Sequence, residues 1–118
     1  MTAMTREQFE KLVDRAVEDL PPLFKERIEN VAIIVQDRPD PEIAREFPGG
    51  LLLGLYRGVP KPKRSVWGNY PYPDMIYIYQ RNIEAICRSD EEMVEQIRNT
   101  VIHEIGHHFG LSDEEMEV

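Results

Sequence analysis

Apolar residues near the N-terminus of the chain recur with the spacing of an amphipathic helix. Thr5 and Gln8 are spaced as a capping box, which predicts that this helix begins just after Thr5. Pro21 and Pro22 cannot continue it, and a short helical turn is predicted over residues 23–28. The residues that follow the i, i+3, i+4, i+7 pattern are Phe9, Leu12, Val13, Ala16, Val17 and Leu20.

Three short runs rich in β-branched or aromatic residues predict β-strands. They cover residues 31–35, 51–56 and 75–79. Gly54 interrupts the second run, so it indicates a bulge or a close approach by another part of the chain. The segments 37–50 and 58–74 contain several prolines and glycines and are predicted as loops. The basic residues of the second loop leave open whether it is merely solvated or binds an acidic group.

The most apolar helical pattern lies near the C-terminus, after a short helix predicted over residues 82–87. Ser89 and Glu92 are spaced as a second capping box, and Gly110 is a natural left-handed terminator, so a helix is predicted over residues 90–109. Its apolar residues cover more than half of its circumference, which predicts burial against a sheet or other helices. They are Met93, Val94, Ile97, Val101, Ile102, Ile105 and Phe109.

Composition narrows the classes of protein that are possible. A length of 118 residues, with 42% apolar and 31% charged residues, predicts one globular domain over residues 1–118. No run of eighteen apolar residues occurs, so a membrane-spanning helix is not expected. The lone Cys87 is expected to be a buried small residue, and it suits a reducing cytoplasm, as does the absence of an apolar leader. A net charge of −8 argues against a nucleic-acid partner.

The acidic excess is concentrated at the C-terminal end. Residues 89–118 contain nine acidic side chains and one basic side chain, Arg98, whereas residues 1–88 are balanced. Most of these acids are interpreted as a solvated face. The alternative, that they help to hold a cation, applies only to the acids close to the histidines.

The predicted C-terminal helix carries His103, Glu104 and His107 in the spacing H-E-x-x-H. At about 100° per residue the two histidines lie about 40° apart and one turn along the axis, so both imidazoles can reach one ion. Glu104 lies about 100° from His103, where it can reach a metal-bound water without being a ligand. The pattern therefore predicts two metal ligands and a general base rather than three ordinary polar helix residues.

Catalytic zinc usually has three protein ligands and an open position. A further ligand-bearing helix is not expected after His107. Gly110 can turn the chain sharply, and Asp113 follows three residues beyond it, which makes Asp113 the candidate third ligand. The remaining candidates for that position are Glu114, Glu115 and His108.

The string from His103 to Asp113 resembles that of metzincin-like zinc peptidases whose third ligand is Asp. With residues 52–60 and 100–113, the whole chain is similar to the small bacterial minimal zincin family. The resemblance implies an α+β, zincin-like fold with a small mixed sheet of about three to four strands packed on the metal-binding helix, plus an N-terminal helix. It also implies one Zn²⁺ per chain at His103, His107 and Asp113. Met116 lies too close to Asp113 for a metzincin Met-turn, so a missing lower cleft wall and weak or specialised activity are expected.

Three functions are compatible with these features. The first is a cytoplasmic zinc metallopeptidase, with Glu104 as base and a peptide or protein substrate paired with the sheet edge near residues 51–56 or 75–79. The second is a non-catalytic metal-binding or interaction module in which zinc holds the C-terminal tail. The third is one half of a peptidase that a protein partner completes. Glu104 favours catalysis, because a structural site needs no base.

For His108 and for the tyrosines, the sequence leaves two roles open. His108 lies about 140° from His103, on the apolar side of the helix, and is expected to be a core histidine bonded to a carbonyl or carboxylate. The alternative for His108 is support of the metal site or a part in catalysis. The tyrosines of the strands and of the second loop are expected to be packing residues, with oxyanion donation as the alternative.

Overall fold

The computed structural model describes residues 4–58 and 73–111. The predicted second loop, apart from its ends, and the C-terminal tail with Asp113 and Met116 lie outside these residues. No helix in the described part is long and apolar enough to cross a membrane. The elements of that part, in chain order, are α1 (Arg6–Glu18), α2 (Pro22–Ile28), β1 (Val31–Gln36), α3 (Pro41–Glu46), β2 (Gly54–Arg57), β3 (Asp74–Tyr79), α4 (Gln80–Ile86) and α5 (Asp90–His108).

The capping signals fix the ends of the two long helices. At the start of α1, Gln8 N–H donates to Thr5 Oγ1 over 3.1 Å, and Thr5 N–H donates to Gln8 Oε1 over 2.9 Å. The predicted capping box is therefore confirmed. At α5 the box is only half formed, because Glu92 Oε2 accepts from the Arg88 amide instead of the Ser89 amide. Gly110, with φ of 70°, ends α5 in the left-handed conformation as predicted.

At three places the structure differs from the sequence prediction by more than one residue. The first predicted loop contains α3, because Pro41 occupies the first helical position, where a missing N–H costs nothing. Strand β2 begins at Gly54 instead of residue 51, and Leu53 meets the sheet only through its carbonyl, which accepts from the Tyr79 amide. Helix α4 begins directly after β3, two residues earlier than predicted.

The strands form one mixed sheet in the order β1-β3-β2. Strand β3 pairs with β1 in parallel, with Ile33 opposite Ile76, and with β2 in antiparallel fashion, with Tyr56 opposite Ile76. Because β3 is central, its backbone groups are paired on both sides. The expectation that a peptide could add to residues 75–79 is therefore wrong. Among the described strands, β2 lies at the edge of the sheet on the side of α5.

Helices α1 and α5 pack against each other, and α5 also packs against β2, β3, α2 and α4. The predicted apolar faces are buried in both helices, except that Val17 is only half-buried and that Phe109, beyond the last turn of α5, is 41% exposed. Cys87 is buried, as expected. The predicted α+β class with a small mixed sheet is confirmed. The core residues of α5 are Met93, Val94, Ile97, Val101, Ile102 and Ile105.

Candidate metal centre

The last two turns of α5 bring His103 and His107 onto one exposed face. Their ring centroids are 6.2 Å apart, and the ring planes are inclined at 61°. Because successive turns of an α-helix place residues i and i+4 on the same face, this proximity follows directly from the sequence spacing. The two imidazoles are thus neighbours with solvent access, as two ligands of one ion must be.

A contact with a backbone carbonyl determines the tautomer of His103. His103 Nδ1 lies 2.7 Å from the carbonyl oxygen of Asn99. Since a carbonyl can only accept, Nδ1 carries a proton, and in the neutral ring the lone pair is then on Nε2. This is the neutral form in which imidazole binds metals, and such a contact through the second ring nitrogen is common for metal-binding histidines. The donor set of α5 therefore fits a zinc ion.

Glu104 lies between the two histidines in sequence but faces the edge of the sheet. The carboxylate oxygen Oε1 accepts a hydrogen bond from the Tyr56 amide of β2 over 2.9 Å. Within the described residues, the second oxygen, Oε2, accepts no hydrogen bond. Glu104 is half-buried, so it is fixed by the strand on one side and accessible on the other.

The third predicted ligand cannot be placed, because Asp113 and its alternatives Glu114 and Glu115 lie outside the described residues. Among residues 4–58 and 73–111, no group of three His, Cys, Asp or Glu side chains is arranged to hold a metal ion. The described part therefore provides two candidate ligands, His103 and His107, on one helix.

His108 differs from its predicted environment. It is exposed, and the prediction of a core histidine is wrong, because its ring packs on Tyr56 at the end of α5 and not in the core. Its ring stacks on Tyr56, with 3.9 Å between ring centroids and 19° between planes. The nearest carboxylate oxygen, Asp74 Oδ2, is 3.8 Å from His108 Nε2, which is longer than a hydrogen bond. The expected carboxylate neighbour is present, but its hydrogen bond comes from the Tyr56 hydroxyl, over 2.7 Å.

An open cleft of about 370 Å³ is lined at one end of α5 by His103 and Glu104. One wall is the extended segment 51–54 and the other is α5. The walls meet closely at Gly54: a Cβ atom there would lie 2.6 Å from Thr100 Cγ2 and 2.9 Å from the Tyr77 carbonyl oxygen. The predicted close approach at Gly54 is confirmed. The α5 residues that line the cleft are Gln96, Asn99, Thr100, His103 and Glu104.

Comparison with known proteins identifies the family of this chain. The family model of the zincin-like metallopeptidases matches residues 28–118. The chain belongs to the zincin-like metallopeptidase family. The match includes the edge strand, the central strand and α5, and it confirms the resemblance that the sequence predicts. Zincin-like proteins generally bind zinc, which agrees with the paired imidazoles of α5.

A solved structure shares the fold. It is a conserved hypothetical protein from Thermus thermophilus, to which this zincin-like chain is 25% identical, with a TM-score of 0.60. The alignment covers 90% of this chain and 94% of the other chain. A search of curated proteins found no match.

Sequence reasoning missed two residues that contact the site. Asn99 was not singled out, although the i−4 carbonyl is a regular partner for a helical side chain. Tyr56 was expected to be a packing residue, yet both its amide and its hydroxyl bind carboxylates. No local signal identifies Tyr56, because its partners Glu104 and Asp74 are 48 and 18 residues away in sequence.

Proposed function

We propose that this protein is a zinc-dependent metallopeptidase that acts in the cytoplasm. One observation carries the proposal: in a chain of the zincin-like metallopeptidase family, α5 presents two adjacent imidazoles, and one of them, His103, lines an open cleft together with Glu104. One zinc ion per chain would be held by His103, His107 and Asp113. An Asp as third ligand leaves an open coordination position for catalysis, whereas a structural site is usually closed by four protein ligands.

The roles of the side chains follow from their positions. Bound zinc would supply Lewis-acid activation of water and of the scissile carbonyl. Glu104 accepts the proton of the attacking water through its accessible oxygen and then delivers it to the leaving amine. The Asn99 carbonyl keeps His103 in the tautomer that leaves Nε2 available to a metal.

The substrate proposed for this site is an extended peptide or a flexible protein segment. Among the described strands, β2 lies at the edge of the sheet beside α5, and an added strand can pair with such an edge. The cleft wall of residues 51–54 is largely leucine, whereas Gln96, Asn99 and Thr100 present polar groups from α5. The activity is proposed to be weak or specialised, with a protein partner that supplies the lower wall of the cleft.

The test compares zinc-loaded wild type with the Glu104→Gln variant on a broad library of unstructured peptides. Gln keeps the shape of Glu but cannot accept the proton, so cleavage is expected to fall by about 10²–10⁴-fold with zinc content unchanged. Glu95→Gln is the matched control, because Glu95 is an exposed glutamate of the same helix, away from the cleft. Its cleavage rate is expected to equal that of wild type.

Two outcomes would contradict the proposal. Equal cleavage by wild type and Glu104→Gln would mean that the activity uses other chemistry or comes from a contaminant. A wild type with full zinc that cleaves no peptide of the library would favour a non-catalytic module or a peptidase that needs its partner. Zinc analysis of both proteins separates these results from simple loss of metal.

A further inference from the structure

The hydrogen bond between Tyr56 and Glu104 connects the sheet directly to the proposed base. The amide nitrogen of Tyr56 is 2.9 Å from Glu104 Oε1, within the normal range for N–H···O bonds. Glu104 is half-buried at this point. A hydrogen bond to an ionised carboxylate is stronger than one between neutral groups. This contact therefore fixes the carboxylate relative to β2.

The register of the sheet explains why this amide is available. Leu55 is opposite Tyr77, and the Leu53 carbonyl accepts from the Tyr79 amide, so residues 53 and 55 direct their backbone groups toward β3. The backbone groups of Gly54 and Tyr56 consequently point away from β3, toward the outer side of β2. Glu104 occupies the outward amide of Tyr56, so this amide is not available to a peptide.

The side chain of Tyr56 is itself held from two directions. Its hydroxyl donates to Oδ2 of Asp74, which is 7% exposed and begins β3. Its ring lies against the His108 ring at the end of α5. Burial and the hydrogen bond to Asp74 both raise the pKa of Tyr56 above its ordinary value of 10.0, so the hydroxyl remains a donor at any working pH.

A glycine keeps this arrangement compact. A Cβ atom at Gly58 would lie 3.0 Å from His108 Cε1, closer than side chains normally approach. A larger residue at this position would push the His108 ring away from its stacked position. Tyr56 is therefore braced by β3 through Asp74 and by α5 through His108, and its backbone in turn braces Glu104.

We propose that Tyr56 is a positioning residue for Glu104: its amide holds one carboxylate oxygen, and its side chain, bound to Asp74 and His108, keeps that amide in place. The inference rests on the proposed role of Glu104 as a base. It explains how the carboxylate can be restrained through Oε1 while Oε2 stays accessible to water. Tyr56 itself takes no part in the transfer of protons.

The first measurement is amide hydrogen exchange by NMR on the full chain, with and without zinc. In the Glu104→Ala variant, the exchange rate of the Tyr56 amide is expected to rise by at least about tenfold, as loss of a hydrogen bond to a charged group implies. The Leu55 amide, which faces β3, serves as the internal reference and should be unchanged. An unchanged Tyr56 amide would show that the hydrogen bond does not exist in solution and would overturn the inference.

The second measurement tests the side chain with a matched pair of variants. Tyr56→Phe removes only the hydroxyl that binds Asp74, and Tyr77→Phe makes the same change on a half-buried tyrosine whose hydroxyl meets the Met75 sulphur. Tyr56→Phe is expected to accelerate exchange at the residue-56 amide several-fold with full zinc content, whereas Tyr77→Phe leaves that amide unchanged. If Tyr56→Phe lowers only the thermal stability and leaves the residue-56 amide protected, the inference is wrong.

Kinetics provide the third readout. On any peptide that the wild type cleaves, Tyr56→Phe is expected to lower kcat by roughly ten- to a hundredfold with KM and zinc content unchanged, because misplacement of a reacting group slows chemistry. A rise in KM alone would assign Tyr56 to substrate binding and overturn the positioning role. If zinc-loaded wild type cleaves nothing, the proposed peptidase function fails, and the exchange data still decide whether Tyr56 holds Glu104.

Discussion

At the residue scale, the identity of the third ligand is the most specific proposal. Asp113→Ala is expected to reduce zinc affinity by more than the roughly 10–100-fold that loss of an outer partner of a ligand costs, because it removes a charged ligand. Glu117→Ala, in the same segment, is the control and should retain one zinc per chain. Zinc titration against a competing chelator measures both. Full affinity in Asp113→Ala would redirect the assignment to Glu114, Glu115 or His108.

A second residue-scale prediction concerns the contact between β2 and α5. Gly54→Ala places a methyl group against Thr100 Cγ2 and the Tyr77 carbonyl, neither of which is the flexible end of a long side chain. Its free energy of unfolding in urea is expected to fall by about 1–3 kcal/mol. At Gly49 nothing lies within 4 Å of an added Cβ, so Gly49→Ala should change it by less than about 0.5 kcal/mol. Equal stability of the two variants would contradict the close approach.

A site residue could be predicted from the sequence where its position depends only on residues close to it in the chain. His103 and His107 lie together because helical periodicity alone puts them there. The prediction for His108 was wrong because its angle on the helix was known, but its contact with Tyr56 of β2 was not. Tyr56 was missed because its role depends on a strand register that no local pattern encodes.

At the scale of elements, Glu84 of α4 has two polar contacts within its own helix and one with Met4, just before α1. Its carboxylate accepts from Arg81 over 2.8 Å, from the Gln80 side chain over 3.1 Å and from the Met4 amide over 3.3 Å. Burial alone would raise the pKa of Glu84, but these hydrogen bonds outweigh it and hold the pKa below the ordinary value of 4.5. The ionised form of Glu84 is therefore favoured by folding.

The consequence is an acid-sensitive attachment of α1. Since the folded-state pKa is lowered, the contribution of Glu84 is fully present above about pH 4.5 and is lost as the pH falls through the folded-state value. Glu84→Gln is expected to cost about 1–2 kcal/mol at pH 7, and its difference from wild type should shrink on acidification below pH 4.5. Urea unfolding at both pH values, with the exposed Glu18→Gln as control, measures this; a difference that grows on acidification would contradict it.

Helices and strands could be predicted where one local sequence pattern outweighed the others. The capping box of α1 and the apolar arc of α5 are encoded over short stretches and match the structure. Helix α3 was predicted as loop because proline and glycine outweighed its short apolar content, although proline is favourable at a helix start. The central position of β3 could not be predicted, since strand order depends on which strands the helices leave exposed.

At the scale of the whole molecule, the metal and the core have separate roles. The core joins α1, α5 and the sheet through apolar contacts, with Phe9, Ile76, Ile97 and Ile105 fully buried. The two candidate ligands of α5 lie on its exposed face and add nothing to that core. A site placed on a preformed helix contrasts with the classical zinc finger, whose fold exists only with its metal.

Chelation of zinc is therefore expected to leave the fold intact. Zinc that binds only the folded state adds about 2.7 kcal/mol when present at 100 times its Kd, so its removal should lower Tm by roughly ten degrees without abolishing cooperative unfolding. The far-UV circular dichroism of the metal-free protein should retain its helical signal, since α5 is held by its buried apolar arc and not by the ions at its end. Thermal scans with a chelator, and again after zinc is restored, measure both quantities. A chelated protein with the spectrum of a random coil would show that zinc organises the whole domain, and the site would then be structural rather than catalytic.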